Sequence, residues 1–198
     1  MKRLGVLAFF LLVLPGCSVT AGMFAPLRNP TLPHPYYPLL APATYGRTYA
    51  ARHLLEGQAR GQDFVFQVQV EIDTDRIVLV GFTPWQTRAF LVRYDGQTLT
   101  YENFTDREIP FPAAFMLSYL QQVLWPRLPN QGEWHVVEDP HTHERRVSFR
   151  QQLVTRIRYH GAPSTQGDVE LTNMSLGYRL LIHIDPGSAG VAPANGLP

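Results

Sequence analysis

The sequence has little cysteine, little net charge and no long apolar run after its first residues. A single cysteine among 198 residues rules out a disulfide framework, so a folded domain must rest on an ordinary hydrophobic core. The formal net charge is +1 and the basic residues are scattered, which argues against a nucleic-acid partner. Beyond the N-terminal segment, no stretch contains the roughly 20 apolar residues that a membrane-spanning helix needs.

Sequence signatures of catalysis are also lacking. The chain contains neither a Gly-x-Ser-x-Gly elbow nor a phosphate-binding loop. The best candidate metal site is Asp139-Pro140-His141-Thr142-His143-Glu144, because two histidines two residues apart on a strand point to one face. A third ligand is not evident nearby, and these are ordinary turn residues, so we interpret the segment as a hairpin turn. We expect no enzymatic activity, no cofactor and no metal.

The first seventeen residues carry the most specific signal. Lys2 and Arg3 precede an apolar run from Leu4 to Leu14, and Leu14-Pro15-Gly16-Cys17 closes it. This is the layout of a secretory signal peptide, and its end resembles the lipobox of bacterial lipoproteins. The resemblance implies that residues 1–16 are removed, which changes the formal charge to −1, and that Cys17 is acylated as a membrane anchor. Ser18 then favours the outer membrane of a Gram-negative bacterium, with the domain facing the periplasm.

Proline divides the rest of the chain. Six prolines fall within residues 18–44, and proline disfavours both helix and sheet, so residues 17–44 are predicted to be a lipidated cysteine followed by a tether. Tyr36, Tyr37, Leu39 and Leu40 could dock its end onto the domain. Residues 45–185 form a single domain, and residues 186–198, rich in Gly, Pro and Ala, form a flexible tail. We expect a monomer.

The domain is mostly strands. Phe64, Phe66, Val68, Val70 and Ile72 alternate with residues of the opposite face, the period-two pattern of a half-buried strand. Short turns between neighbouring strands predict an antiparallel meander. The predicted strands cover residues 47–57, 64–72, 76–82, 87–94, 97–104, 134–138, 145–151, 153–160, 168–174 and 178–185.

One segment, residues 112–124, has helical spacing instead. Its apolar residues recur every three or four positions, with Ser118, Gln121 and Gln122 on the opposite side. Pro112 suits the first turn and Pro126 ends the helix. The predicted fold class is mainly β (α+β): a strongly curved antiparallel sheet, or half-barrel, with one central helix as a lid.

Three runs of the domain resemble motifs of a known family: Gly81-Phe82-Thr83-Pro84, the run from Phe90 to Gly96, and the run from Leu117 to Pro126. They are similar to motifs of small, largely uncharacterised bacterial lipoproteins with a domain of unknown function, over residues 45–185. The resemblance implies a fold like LolA and LolB, the carrier and receptor of lipoprotein trafficking. It also implies gene neighbourhoods for aryl-polyene or xanthomonadin-like pigments. The exposed leucine loop with which LolB enters membranes has no clear match.

The inner face of such a sheet can enclose an apolar cavity, and methionine and aromatic side chains adapt to irregular ligands. We therefore expect a membrane-anchored lipoprotein that binds or receives an apolar cargo (lipid, lipoprotein acyl chain or aryl polyene) at the outer membrane without catalysis. The alternative is a non-catalytic scaffold or assembly factor of a cell-envelope complex, docking through Trp85 and Phe111. The candidate cavity residues, which would equally suit a filled core, are Phe64, Phe66, Val68, Val70, Leu91, Leu99, Tyr101, Phe115, Met116, Tyr119, Leu120, Trp125, Ile157 and Ile182.

Overall fold

A computed structural model of the chain describes residues 35–59, 62–106, 109, 111–161 and 167–185. The predictions for the signal peptide, for Cys17 and for the tail lie outside the described residues. All ten predicted strands and the predicted helix are present, each end within two residues of its expected place. The elements are β1 (Tyr49–Ala59), β2 (Gln62–Ile72), β3 (Ile77–Phe82), β4 (Arg88–Tyr94), β5 (Leu99–Asn103), α1 (Ala113–Leu124), β6 (Trp134–Asp139), β7 (Glu144–Phe149), β8 (Gln152–His160), β9 (Gly167–Asn173) and β10 (Tyr178–Asp185).

The strands form one antiparallel sheet in the order β5-β4-β3-β2-β1-β10-β9-β8-β7-β6. A meander is therefore present within each half, but the first and last strands pair with each other at the centre. There Leu55 of β1 lies between Phe66 of β2 and Ile182 of β10. Within the described residues β5 and β6 are unpaired edges, so the sheet is open. The mainly β class, with one antiparallel sheet and one helix, is confirmed, and an open sheet of this size fits a curved one.

Ten of the twelve helix residues are buried, including those on the side that the sequence marks as polar. Residues 36–45, which we call the strap, cover that side. Ser118 Oγ donates a hydrogen bond to the carbonyl oxygen of Tyr37 at 2.9 Å. Gln121 bonds the backbone of Leu40 twice, accepting from its amide at 2.9 Å and donating to its carbonyl at 2.7 Å. The end of the predicted tether is thus part of the packed domain.

The strap also reaches both edges of the sheet. Tyr37 is fully buried, and its ring packs 5.8 Å from the ring of Trp134 at the start of β6. At the other edge, a Cβ atom added to Gly96, in the turn between β4 and β5, would lie 3.3 Å from Pro42. Helix and strap together therefore occupy the opening between the two unpaired edges.

A buried arginine fixes the C-terminal end of the helix. Arg145 of β7 donates to the carbonyl oxygens of Gln122 and Trp125 and pairs with Glu138 at 2.8 Å. A cation is favourable there because the last carbonyls of a helix lack partners and carry partial negative charge. The helix is therefore held on the β6–β7 side of the sheet. In the part of the chain that the structure describes, no helix is long and apolar enough to cross a bilayer.

Candidate functional site: an apolar cavity between helix and sheet

A cavity of about 90 Å³ lies between α1 and the half of the sheet around β2. That is several times the roughly 10–15 Å³ that one water molecule requires, so it is more than a packing defect. It is partly open to solvent. Its lining residues are His53, Leu55, Phe64, Phe66, Val68, Val70, Leu79, Phe90, Ile109, Phe111, Met116, Tyr119, Leu120, Val123, Tyr178, Leu180 and Ile182.

Strand β2 forms the floor. Its alternate residues Phe64, Phe66, Val68 and Val70 all point into the cavity, and four such residues span about 20 Å of strand. Val70 is fully buried, whereas Phe64 and Phe66 are only half-buried. The cavity therefore has a closed inner end at Val70 and a mouth at Phe64, where the ring of Phe111 packs 5.2 Å away.

Two glycines make room for the aromatic wall. A Cβ atom at Gly81 of β3 would fall only 2.1 Å from the ring of Phe90, which lies across that strand. A Cβ atom at Gly57 of β1 would likewise lie 2.7 Å from the ring of Phe64. A glycine inside a strand often marks such a close approach. These two positions allow the phenyl rings to lie flat against neighbouring strands and leave space above them.

The helix forms the roof with Met116, Tyr119, Leu120 and Val123. Their spacing of three and four residues places them on one side of α1. Met116 and Leu120 are the two residues of α1 that are not fully buried, so their side chains border the open part of the cavity. Thioether and leucine side chains repack readily, which gives the roof some capacity to adjust to an occupant.

The lining has few polar groups. Among the lining residues that the structure describes, none is Lys, Arg, Asp or Glu. His53 is only 3% exposed, and its Nε2 lies 2.7 Å from the hydroxyl oxygen of Tyr49. Burial lowers the pKa of His53 to about 4, so its ring is neutral at neutral pH. The described lining therefore offers mainly apolar surface to an occupant.

Two tyrosines complete the polar groups of the wall. The Tyr119 hydroxyl accepts a hydrogen bond from Asn173 Nδ2 at 2.8 Å, and burial raises the pKa of Tyr119 to about 12. The hydroxyl of Tyr178 is sealed off without a hydrogen-bond partner among the described residues. Burial raises the pKa of Tyr178, and the nearby Tyr119 hydroxyl raises it further, although the pair lies outside hydrogen-bond geometry. Both phenols stay protonated and neutral.

The structure brings eight of the predicted cavity residues together around this space. They are Phe64, Phe66, Val68, Val70, Met116, Tyr119, Leu120 and Ile182.

The other six predicted residues do not line the cavity. Leu91 lies on the opposite face of β4 from Phe90 and Val92, so it is buried outside the central core. Phe115, Trp125 and Ile157 are buried in the core, and Leu99 and Tyr101 of β5 pack against its margin. The Trp125 indole donates to Thr44 Oγ1 of the strap at 2.8 Å, which makes it a contact between helix and strap.

Sequence reasoning named no cavity residue of β1 or β3, and on β10 it identified only Ile182. On β4 it named Leu91 where Phe90 lines the cavity. The alternation in each strand shows which residues share a face, but only the sheet order shows which strands lie under the helix. Glycine inside β1 and β3 was the available signal for a crowded aromatic wall. The missed lining residues are His53, Leu55, Leu79, Phe90, Ile109, Phe111, Val123, Tyr178 and Leu180.

The structure also locates the candidate metal site and the two candidate docking residues. The segment from Asp139 to Glu144 forms the β6–β7 turn, in which Asp139 Oδ1 accepts from the amide of His141 at 2.9 Å. Among the described residues, no group of three or more His, Cys, Asp or Glu could hold a metal ion. The two residues of the predicted docking patch differ, since Trp85 is 82% exposed whereas Phe111 packs on Phe64 and Tyr178.

Comparison with known proteins gives a family match across the whole sheet. The model of the family described as "Protein of unknown function (DUF3261)" matches residues 50–185, from the start of β1 to the end of β10. No curated protein matches the chain. The predicted likeness to a family with a domain of unknown function is therefore confirmed, over nearly the range expected.

Proposed function

Since the chain belongs to the DUF3261 family of proteins of unknown function, we propose from the cavity itself that it binds an apolar, chain-like molecule without catalysing a reaction on it. The single observation that carries the proposal is a partly open cavity, about 20 Å long by strand geometry, with an almost wholly apolar lining. Transfer of each methylene group of a ligand from water into such a site is worth roughly 0.8 kcal/mol. Binding therefore needs burial alone.

We further propose that the protein acts as a lipid-anchored station at the outer membrane. Tyr36, at the start of the strap, packs 5.4 Å from Phe115 in the first turn of α1, close in sequence to Phe111 at the mouth. The chain that leads back to Cys17 therefore joins the domain beside Phe115, four residues along the chain from Phe111 at the mouth. The 18 residues from Cys17 to residue 35 can span at most about 65 Å. Acylation of Cys17 would thus keep the mouth near the membrane.

The open antiparallel sheet with a helix against its inner side supports a LolA/LolB-like arrangement. In that arrangement the cargo would be an acyl chain. The pigment-gene neighbourhood that the resemblance implies would make an aryl polyene a second cargo of similar shape. The strap is compatible with this role, because it closes the gap between β5 and β6 without filling the space above β2.

Binding can be tested with residues 18–198, which retain every residue that the structure describes, and a fluorescent fatty-acid probe. We expect Phe66→Asp or Leu120→Asp to abolish binding, because a carboxylate in the floor or roof would be buried unpaired whenever the chain is bound. Titration of probe fluorescence measures the loss.

Val65→Asp is the matched control, because Val65 neighbours Phe66 on β2 but is 43% exposed on the outer face. It should bind the probe as the unchanged protein does. Circular dichroism of each variant separates loss of binding from loss of fold. Folded Phe66→Asp and Leu120→Asp proteins that bind normally would contradict the proposal.

One observation favours the second candidate function, a scaffold that docks a protein partner. Trp85, in the turn between β3 and β4, exposes most of a side chain that is usually at least partly covered. Crosslinking in cells through position 85 distinguishes the two. A single dominant protein adduct supports the scaffold, whereas lipid adducts support the carrier.

A further inference from the structure

One imidazole interrupts the apolar wall of the cavity. His53 lies on β1, one of the two central strands of the sheet, beside Val68 of β2 and Ile184 of β10. The His53 side chain is nearly fully buried, and it borders the cavity. An apolar residue at this position would fill the wall at lower cost, because a buried polar group must be hydrogen-bonded to be tolerated.

Only one of the two ring nitrogens of His53 is satisfied by the fold. Nε2 is bonded to the hydroxyl of Tyr49. Nδ1 makes no hydrogen bond with any described residue, and it is not among the polar atoms that the described fold seals off without a partner. Nδ1 therefore remains in contact with open space, which here is the cavity.

The neutral ring leaves Nδ1 with either of two roles. If the Tyr49 hydroxyl donates to Nε2, the proton resides on Nδ1, which then donates; if Nε2–H donates to the Tyr49 oxygen, Nδ1 accepts. A hydroxyl group suits both cases, since it donates and accepts. A carboxylate or phosphate suits only the first, and beside His53 it would be buried without any cation among the described lining residues.

On the basis of the proposed function, we propose that the cavity takes an apolar chain bearing an uncharged hydroxyl group at its inner end, hydrogen-bonded to Nδ1 of His53. The chain then runs outward over Phe66 to the mouth at Phe64. Val68, the partner of His53 in the sheet, is four residues from Phe64, so this path is about 13 Å long. The ligand enters with its hydroxyl end first.

Three matched probes test the inference with residues 18–198 at pH 7.5: 1-decanol, decanoate and decane, each competing with a fluorescent apolar probe. We expect 1-decanol to bind about tenfold more tightly than decane, because one hydrogen bond to a buried neutral group is worth about 1.4 kcal/mol. Decanoate should bind more weakly than 1-decanol. In His53→Phe, which removes both nitrogens, the preference for 1-decanol over decane should vanish while decane still binds.

His53→Gln keeps a donor and an acceptor near the same place, so it should retain part of the preference for 1-decanol over decane. It serves as the second variant if His53→Phe does not fold. Equal affinity for 1-decanol and decane in the unchanged protein would overturn the inference, as would tightest binding of decanoate. Either result would leave the proposed function, binding of an apolar chain, unaffected. If none of the three compounds displaces the probe, or if the probe itself does not bind, the proposed function is contradicted together with the inference.

Discussion

At the scale of single residues, the cavity depends on a few side chains that break the rules of an ordinary core. Gly57 and Gly81 weaken their strands but give two phenyl rings space to lie flat. His53 brings a polar ring into an apolar wall, where it stays neutral because burial penalises the charged form. Residues of this kind lower the stability of the fold, and proteins often have such residues at functional sites.

The neutrality of His53 predicts a pH dependence of stability. Its pKa is about 4 in the folded protein and about 6.5 when unfolded, so below pH 6.5 the unfolded chain binds more protons and is favoured. The folded state should lose about 3 kcal/mol between pH 7 and pH 4 from this group alone. Urea denaturation of the unchanged protein and His53→Gln across this range measures the difference.

His135→Gln, at an exposed position of β6, is the matched control and should follow the unchanged protein. Parallel curves for His53→Gln and the unchanged protein between pH 7 and pH 4 would contradict the account of a buried neutral ring.

At the scale of elements, the strap and the helix form one unit. The polar residues of α1 look like a solvent face in the sequence, but Ser118 and Gln121 bond the backbone of the strap. Backbone groups buried in this way need partners, because an unsatisfied amide or carbonyl is costly. The polar side of the helix thus serves to hold a proline-rich segment that has few backbone donors of its own.

Gln121→Ala should release the strap from the helix. The change leaves the amide and the carbonyl of Leu40 without their partner, at a cost of about 2–4 kcal/mol in the free energy of unfolding. Gln97→Ala, in the exposed β4–β5 turn, is the control and should change stability by less than about 0.5 kcal/mol. Denaturant titration compares the two. Equal small effects would mean that the strap does not contribute to folding.

The strands and the helix could be predicted because their signals are local. Alternation along residues 64–72 sets the two faces of β2, and Asp95-Gly96 marks the β4–β5 turn, where Gly96 has a φ of 98°. The pairing of β1 with β10 could not be predicted, since alternation shows a strand's faces but not its neighbours. For the same reason Ile157 was a reasonable cavity candidate yet lies in the filled core.

At the scale of the whole molecule, filled core and cavity occupy different halves of one sheet. Val147 of β7 and Ile157 of β8 are fully buried in the half where Arg145 fixes the end of the helix. Around β2 the helix stands away from the floor, and the half-buried Phe64 and Phe66 line open space. The helix is thus fixed over the half of the sheet that contains β7 and β8, and it covers a cavity over the half that contains β2. This arrangement suits a ligand that binds and leaves.

The central claim, that the cavity holds an apolar molecule, is tested most directly by what the protein carries when isolated. The full chain is purified from the membranes of the organism that encodes it, extracted with organic solvent and analysed by mass spectrometry, beside its Leu120→Asp variant. We predict an apolar molecule in near-stoichiometric amount in the unchanged protein and its loss from the variant. A folded protein that carries no apolar molecule and binds no fluorescent fatty acid would contradict the account.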